Sequence, residues 1–135
     1  MRRLSPVLAL LFALALLGVA AGCGGSDDDE ESTTPAEAVT EIGEIKTMLA
    51  TAVAQVRAGD ADAAEETVGD AYLEHFEHVE GPLGDRDHDL MEELEEAIST
   101  DLRTEIESGA SASEVEDAVD EIETDLDRAV ELLEG

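Results

Sequence analysis

An all-α fold, an antiparallel four-helix bundle made of two helical hairpins, is what the sequence predicts, on three observations. From residue 35 onward apolar residues recur at spacings of three and four, the period of a helix with one buried face, and no run alternates as a strand does. Ser, Thr, Asp, Pro and Gly fall where helices would start and stop. Hydrophobic residues make up 43% of the 135-residue chain, with no Trp, one Tyr and two Phe. That content is too high for an acidic disordered tail, and it leaves a core of Ala, Val, Leu and Ile.

The first element precedes the bundle. Met1-Arg2-Arg3 is a short positive segment, and an apolar run follows from Val7 to Ala21, ending at Ala20-Ala21-Gly22-Cys23. This is secretory-signal architecture, assigned to residues 1–22. A run of about 15 residues is short for a membrane-spanning helix, which needs about 20. The single Cys of the chain stands immediately after the run. The stretch resembles a bacterial lipoprotein signal, although Ala20 stands where such signals more often carry Leu. The resemblance implies that Cys23 is lipidated, becomes the new N-terminus and anchors the protein to the extracytoplasmic face of the bacterial cell membrane. Ordinary secretion with a free Cys is the alternative. Residues 23–34 form the second element, an acidic flexible tether. Gly24 to Thr34 reads GGSDDDEESTT, with nothing apolar to pack.

Residues 35–135 are the bundle. The first helix opens on a capping box, Thr34-Pro35-Ala36-Glu37, with Pro at its first position. Val39, Ile42, Ile45, Leu49, Ala52, Val53 and Val56 then share one face, and Gly59 closes it. The second helix starts with Asp60 as N-cap. Ala61, Ala64, Val68, Ala71, Tyr72 and Val79 point inward, and Gly81-Pro82 is its expected end, because Pro cannot continue a helix. The third starts near Asp87, carries Met91, Leu94, Ile98 and Leu102 as its stripe, and stops at Gly109. The fourth opens on a second capping box, Ser111-Ala112-Ser113-Glu114. Its stripe is Val115, Ala118, Val119, Ile122, Leu126, Ala129, Val130 and Leu133. Short connections favour antiparallel neighbours.

Charge excludes several functions. Asp and Glu number 36 against 7 Lys plus Arg, for a net charge of −29. Without the first 22 residues the balance is 36 acids against 5 bases, or −31. A phosphate backbone needs a basic patch, so no nucleic acid is expected as partner. One Cys provides neither an internal disulfide nor a Cys-based zinc site. No nucleophile motif, HExxH or phosphate-binding glycine loop is present, so the chain is not read as an enzyme.

The densest cluster of chemistry-bearing residues runs from Asp70 to Glu80 and holds two of the three His. Glu74 and His78 are four apart and His75 and His78 three apart, so each pair lies on one side of a helix. At 100° per residue His75 projects inward near Val68 and Val79, with Glu105 and Asp101 of the third helix near the Leu94/Ile98 stripe. Imidazole with carboxylate suits iron, zinc or copper better than calcium. Glu74, His75, Glu77, His78, Glu80 and Glu105 are therefore the candidate metal contacts. The alternative is a hydrogen-bonded boundary histidine beside solvated acids. No Glu stands three residues before a His, as a ferritin-like di-iron centre requires.

A longer pattern runs through the same region. Ala54 to Ala64 reads AQVRAGDADAA, Asp70 to Leu83 reads DAYLEHFEHVEGPL, and Arg86-Asp87 precedes the Glu-rich Glu92 to Ile98. Over about residues 45–133 this resembles the soluble extracytoplasmic helical domain of the high-affinity iron permease family. The resemblance implies an accessory role in uptake of iron, or of another divalent or trivalent cation, by metal capture or by docking to a permease. The permease's membrane helices and Arg-Glu-x-x-Glu motifs are absent. Glu77, Val79 and Glu80 fall on the family segment, whereas His75 and His78 do not. The competing expectation is an acidic helical interaction module or envelope lipoprotein without a specific metal site.

Overall fold

The computed structural model describes residues 32–135. The stretch read as a signal peptide, Cys23, and the stretch read as a tether up to residue 31 lie outside the described residues. Four helices account for nearly all the rest, and there is no strand among the described residues. They are α1 (Pro35–Ala58), α2 (residues 61–84), α3 (residues 88–107) and α4 (Ala112–Glu134), joined by links of two, three and four residues.

The start signals act as read. Thr34 and Glu37 form the capping box of α1 and Ser111 and Glu114 that of α4; Asp60 and Asp87 each accept a backbone N–H at the start of α2 and α3. Gly59 and Gly109 both adopt φ +83°, the left-handed region that costs other residues about 1–2 kcal/mol. Gly59→Ala should therefore destabilise by about 1 kcal/mol. Gly43, mid-helix with open space beside it, should gain about 0.5–1 kcal/mol as Ala. Opposite shifts of these two variants in urea melts would confirm both readings.

Three expectations need correction. Helix α2 does not stop at Gly81-Pro82: it carries Pro82 inside its last turn and continues to Gly84. The missing N–H of Pro82 forfeits one bond, but continuing the helix buries Leu83 completely. Ala61 is exposed, not inward. Most consequentially, α2 and α3 are not uniform α-helices. Ala71–Phe76 in α2 and Ala97–Asp101 in α3 are π-helical. Glu77 N–H donates to Tyr72 O, and Leu102 N–H to Ala97 O, both five residues back.

The apolar spacing explains these turns. In α3 the buried residues are Leu90, Leu94, Ile98, Leu102 and Ile106, every fourth position. In an α-helix each such step drifts by about 40°, so the stripe would wind off the core. One extra residue in a π-turn takes back about 100°. In α2 the same insertion brings Phe76, fully buried, to the angle that His75 would hold in a regular helix. Helices α1 and α4 alternate spacings of three and four, as Val115, Val119, Ile122, Leu126, Ala129 and Leu133 do, and need no correction.

One core cluster draws on all four helices, and no buried residue is polar among those described. All five cations of the described residues tie separate elements together. Lys46 pairs with Asp127 and Arg57 with Glu116 (2.5 Å), both across α1 and α4. Arg103 pairs with Glu65 at 2.6 Å across α3 and α2, lying against the bare face of Gly69. Arg128 of α4 reaches Asp87 at 2.7 Å, and Arg86 donates to Leu132 O at 3.0 Å. Along α1 and α4 the paired numbers move in opposite senses, 46 with 127 and 57 with 116. Along α2 and α3, 65 meets 103 and 72 meets 95. No helix among the described residues is long and apolar enough to cross a membrane.

Candidate functional site

The six residues put forward as metal contacts are not gathered at one place on the domain. The π-turn swings His75 out of the core onto the α1 side, where its Nδ1 lies 2.6 Å from Glu41 Oε2. A carboxylate can only accept, so the imidazole N–H donates. His75 is thus a partly buried boundary residue with a partner. Glu74 is exposed beside Leu73, itself 59% exposed. Glu77 and His78 line a pocket with Pro35, Pro82 and Arg86, where the chain enters α1. Glu80 turns toward α3, and Glu105 lies between α3 and α4. Among the described residues no group of three or more His, Cys, Asp or Glu is placed to hold an ion.

Around Glu80 the electrostatics are unusual. Its Oε1 is buried without a hydrogen-bond partner. Burial first, then the charge of Glu95 across the helix pair, hold its carboxyl above the usual carboxylate range; Tyr72 works in the opposite sense and Glu77 adds to the rise. The Tyr72 hydroxyl donates to Glu95 Oε1 at 3.4 Å. Burial, followed by Glu80 and Glu95, pushes that phenol up to about 12. Its ring stacks on Phe76, with centroids 6.1 Å apart, so the π-turn that buries Phe76 also sets Tyr72 against α3.

A groove of about 690 Å³ runs between α3 and α4. Glu93, Glu96, Asp101 and Glu105 line it from α3, and Glu114, Asp117, Glu121 and Asp125 from α4. Ala97, Leu102, Ala118 and Ile122 form its apolar part, and no cation lines it among the described residues. The five cations described above are engaged elsewhere, Arg128 with Asp87 at the far end of the α3–α4 seam. Glu114 is partly committed, since hydrogen bonds from Ser111 lower its carboxyl below the usual range. The other seven have no ion-pair partner among the described residues.

Of this groove the sequence reading singled out Glu105 and, in passing, Asp101. The missed signal is positional. Glu93, Asp101 and Glu105 each stand one residue before a buried position of α3 (Leu94, Leu102, Ile106), and Glu114, Glu121 and Asp125 one before Val115, Ile122 and Leu126 of α4. In two neighbouring helices the same flank of each stripe forms the shared rim. Comparison with protein-family models, with characterised proteins and with solved structures gives no match. The similarity to the iron permease domain therefore stands on the residues quoted for it.

Proposed function

We propose that the chain is a non-enzymatic bacterial envelope lipoprotein, anchored through Cys23, whose antiparallel four-helix domain binds a cationic protein segment in the α3–α4 groove. The opposed numbering of the interhelical pairs supports the antiparallel arrangement. The observation that carries the functional reading is the groove itself: eight carboxylates over an apolar floor, with no cation among the described residues that line it. From 93 to 105 the α3 rim runs about 18 Å, a little over three turns, which matches a basic amphipathic helix laid lengthwise. Such a partner rests its apolar stripe on the half-buried Ala97 and Ala118 and supplies the charges that the rim lacks. The groove lies toward the α1–α2 and α3–α4 links, whereas the tether enters at the opposite end.

Capture of iron or another metal ion for uptake, with docking to a permease, is the second reading. The same uncompensated carboxylates favour it, together with the resemblance carried by residues 45–133. The two readings separate by calorimetric titration of the intact chain at about 0.15 M salt, where the Debye length is about 8 Å. The probes are a Lys-rich amphipathic helical peptide, its scrambled isomer, and ferrous, zinc and calcium ions. The groove reading predicts saturable binding of the ordered peptide. A variant carrying Glu96→Gln, Glu105→Gln, Asp117→Asn and Glu121→Gln should weaken it more than about tenfold, equivalent to 1.4 kcal/mol. Neutralising the exposed Glu44, Asp62, Glu66 and Asp89 should change it little. Stoichiometric metal binding without ordered-peptide binding would favour the uptake reading.

A further inference from the structure

The carboxylates of the α3–α4 groove stand in two matching rows. On α4, Glu114, Asp117, Glu121 and Asp125 fall within an arc of about 80° at about 100° per residue. On α3, Glu93, Glu96, Asp101 and Glu105 would spread over about 180° in a regular α-helix. The π-turn at Ala97–Asp101 takes back about 100° for the last two, which returns all four to an arc of about 80°. The turn that keeps Leu102 and Ile106 in the core thus also keeps Asp101 and Glu105 on the rim. Each row carries about one carboxylate per helical turn. Between the rows Ala97 and Ala118 are half-buried and pack on the core with a single methyl each. They hold the floor low and leave room for an aliphatic side chain in the groove of about 690 Å³.

A helix laid with its apolar stripe on that floor has a rim on each side. Its e and g positions, which adjoin an a/d stripe, meet the rims, while its b, c and f positions point to solvent. A helix is about 10–12 Å across, so a cation on its far face stands beyond the Debye length of about 8 Å from either row. Given the groove as the binding surface proposed above, we infer that its partner is a coiled-coil-like helix with one Lys or Arg per turn on each side of a narrow aliphatic stripe. A helix whose basic face lies opposite its apolar one, the pattern of membrane-surface helices, is a poor match.

The test uses the intact chain at about 0.15 M salt and two peptides of three heptads with the same composition, at concentrations where both are monomeric. Both carry Leu at a and d. One has Lys at e and g and Gln at b and c, and the other has these exchanged. In calorimetric titration the e/g peptide should bind one per chain and at least about tenfold more tightly than its isomer. Ala118→Leu fills the floor without changing any charge and should weaken the e/g peptide about tenfold, with a melting curve to show that the variant folds. The exposed Ala54→Leu should leave binding unchanged. The peptide comparison needs no variant. Equal affinities for the two peptides, or a folded Ala118→Leu chain that binds as before, would overturn the inference. If those equal affinities both fall in the four-carboxylate variant, the groove stands as the binding surface and only the row-matched partner is lost. Binding of neither peptide would remove both.

Discussion

Phe76→Ala should cost about 3–5 kcal/mol, while His75→Ala should cost less than about 1. In a regular α-helix the two residues would exchange roles, since a projection at 100° per residue points His75 at the core. The π-turn over Ala71–Phe76 reverses this: Phe76 is fully buried, and His75 sits at the boundary bonded to Glu41. Phe76 is the largest fully buried side chain in a core otherwise built from aliphatic residues. Its removal opens a cavity in the single core cluster. Domain stabilities are only about 5–15 kcal/mol, so Phe76→Ala should be marginally folded at best. Urea melts of the two variants measure the difference, and equal losses would mean that α2 runs without its π-turn.

Ionic strength should have the second large effect. Helices α3 and α4 carry like charges at i,i+4 in eight pairs, among them Glu92/Glu96, Asp101/Glu105, Asp117/Glu121 and Glu121/Asp125. At a few tenths of a kcal/mol each they cost about 2–4 kcal/mol in low salt. The facing rims of the groove add repulsion between helices. The Debye length falls from about 30 Å at 0.01 M to about 3 Å at 1 M salt, which removes most of this term. At about 4–8 °C per kcal/mol for a domain near this size, the melting temperature should rise by about 10 °C or more. The five interhelical ion pairs and contacts of Lys46, Arg57, Arg86, Arg103 and Arg128 weaken in salt, but exposed pairs contribute only about 0–1 kcal/mol each. Calorimetric melts across that range measure the balance; a flat or falling melting temperature would show that the acids are already compensated.

Local signals carried most of the fold. Thr34, Asp60, Asp87 and Ser111 start helices where they stand, because an N-cap acts through a backbone bond two or three residues away. Gly59 and Gly109 end helices for an equally local reason. The stripes of α1 and α4 follow the 3.6 period and were legible. The second half of α2 was not, because one inserted residue changes the angle of everything after it. The clue lay in spacing: Ala71 to Phe76 is a step of five, and the α3 stripe runs in unbroken fours. The helical run through Pro82 was missed because burial of Leu83 is a tertiary gain that outweighs a local penalty. The groove was missed because its rim belongs to two helices and emerges only when their neighbouring flanks are set side by side. Glu95 escaped notice for the same reason, since its partners Tyr72 and Glu80 come from the other helix.

The most direct test of the α3–α4 groove as the binding surface is backbone amide NMR mapping of the intact chain with a Lys-rich amphipathic helical peptide at about 0.15 M salt. Shifts concentrated on Ala97, Leu102, Ala118 and Ile122 and on the carboxylates flanking them, saturating at one peptide per chain, are the predicted result. Shifts spread evenly over the acidic faces of all four helices, growing without saturation, would contradict it and reduce the acids to a solvated coat.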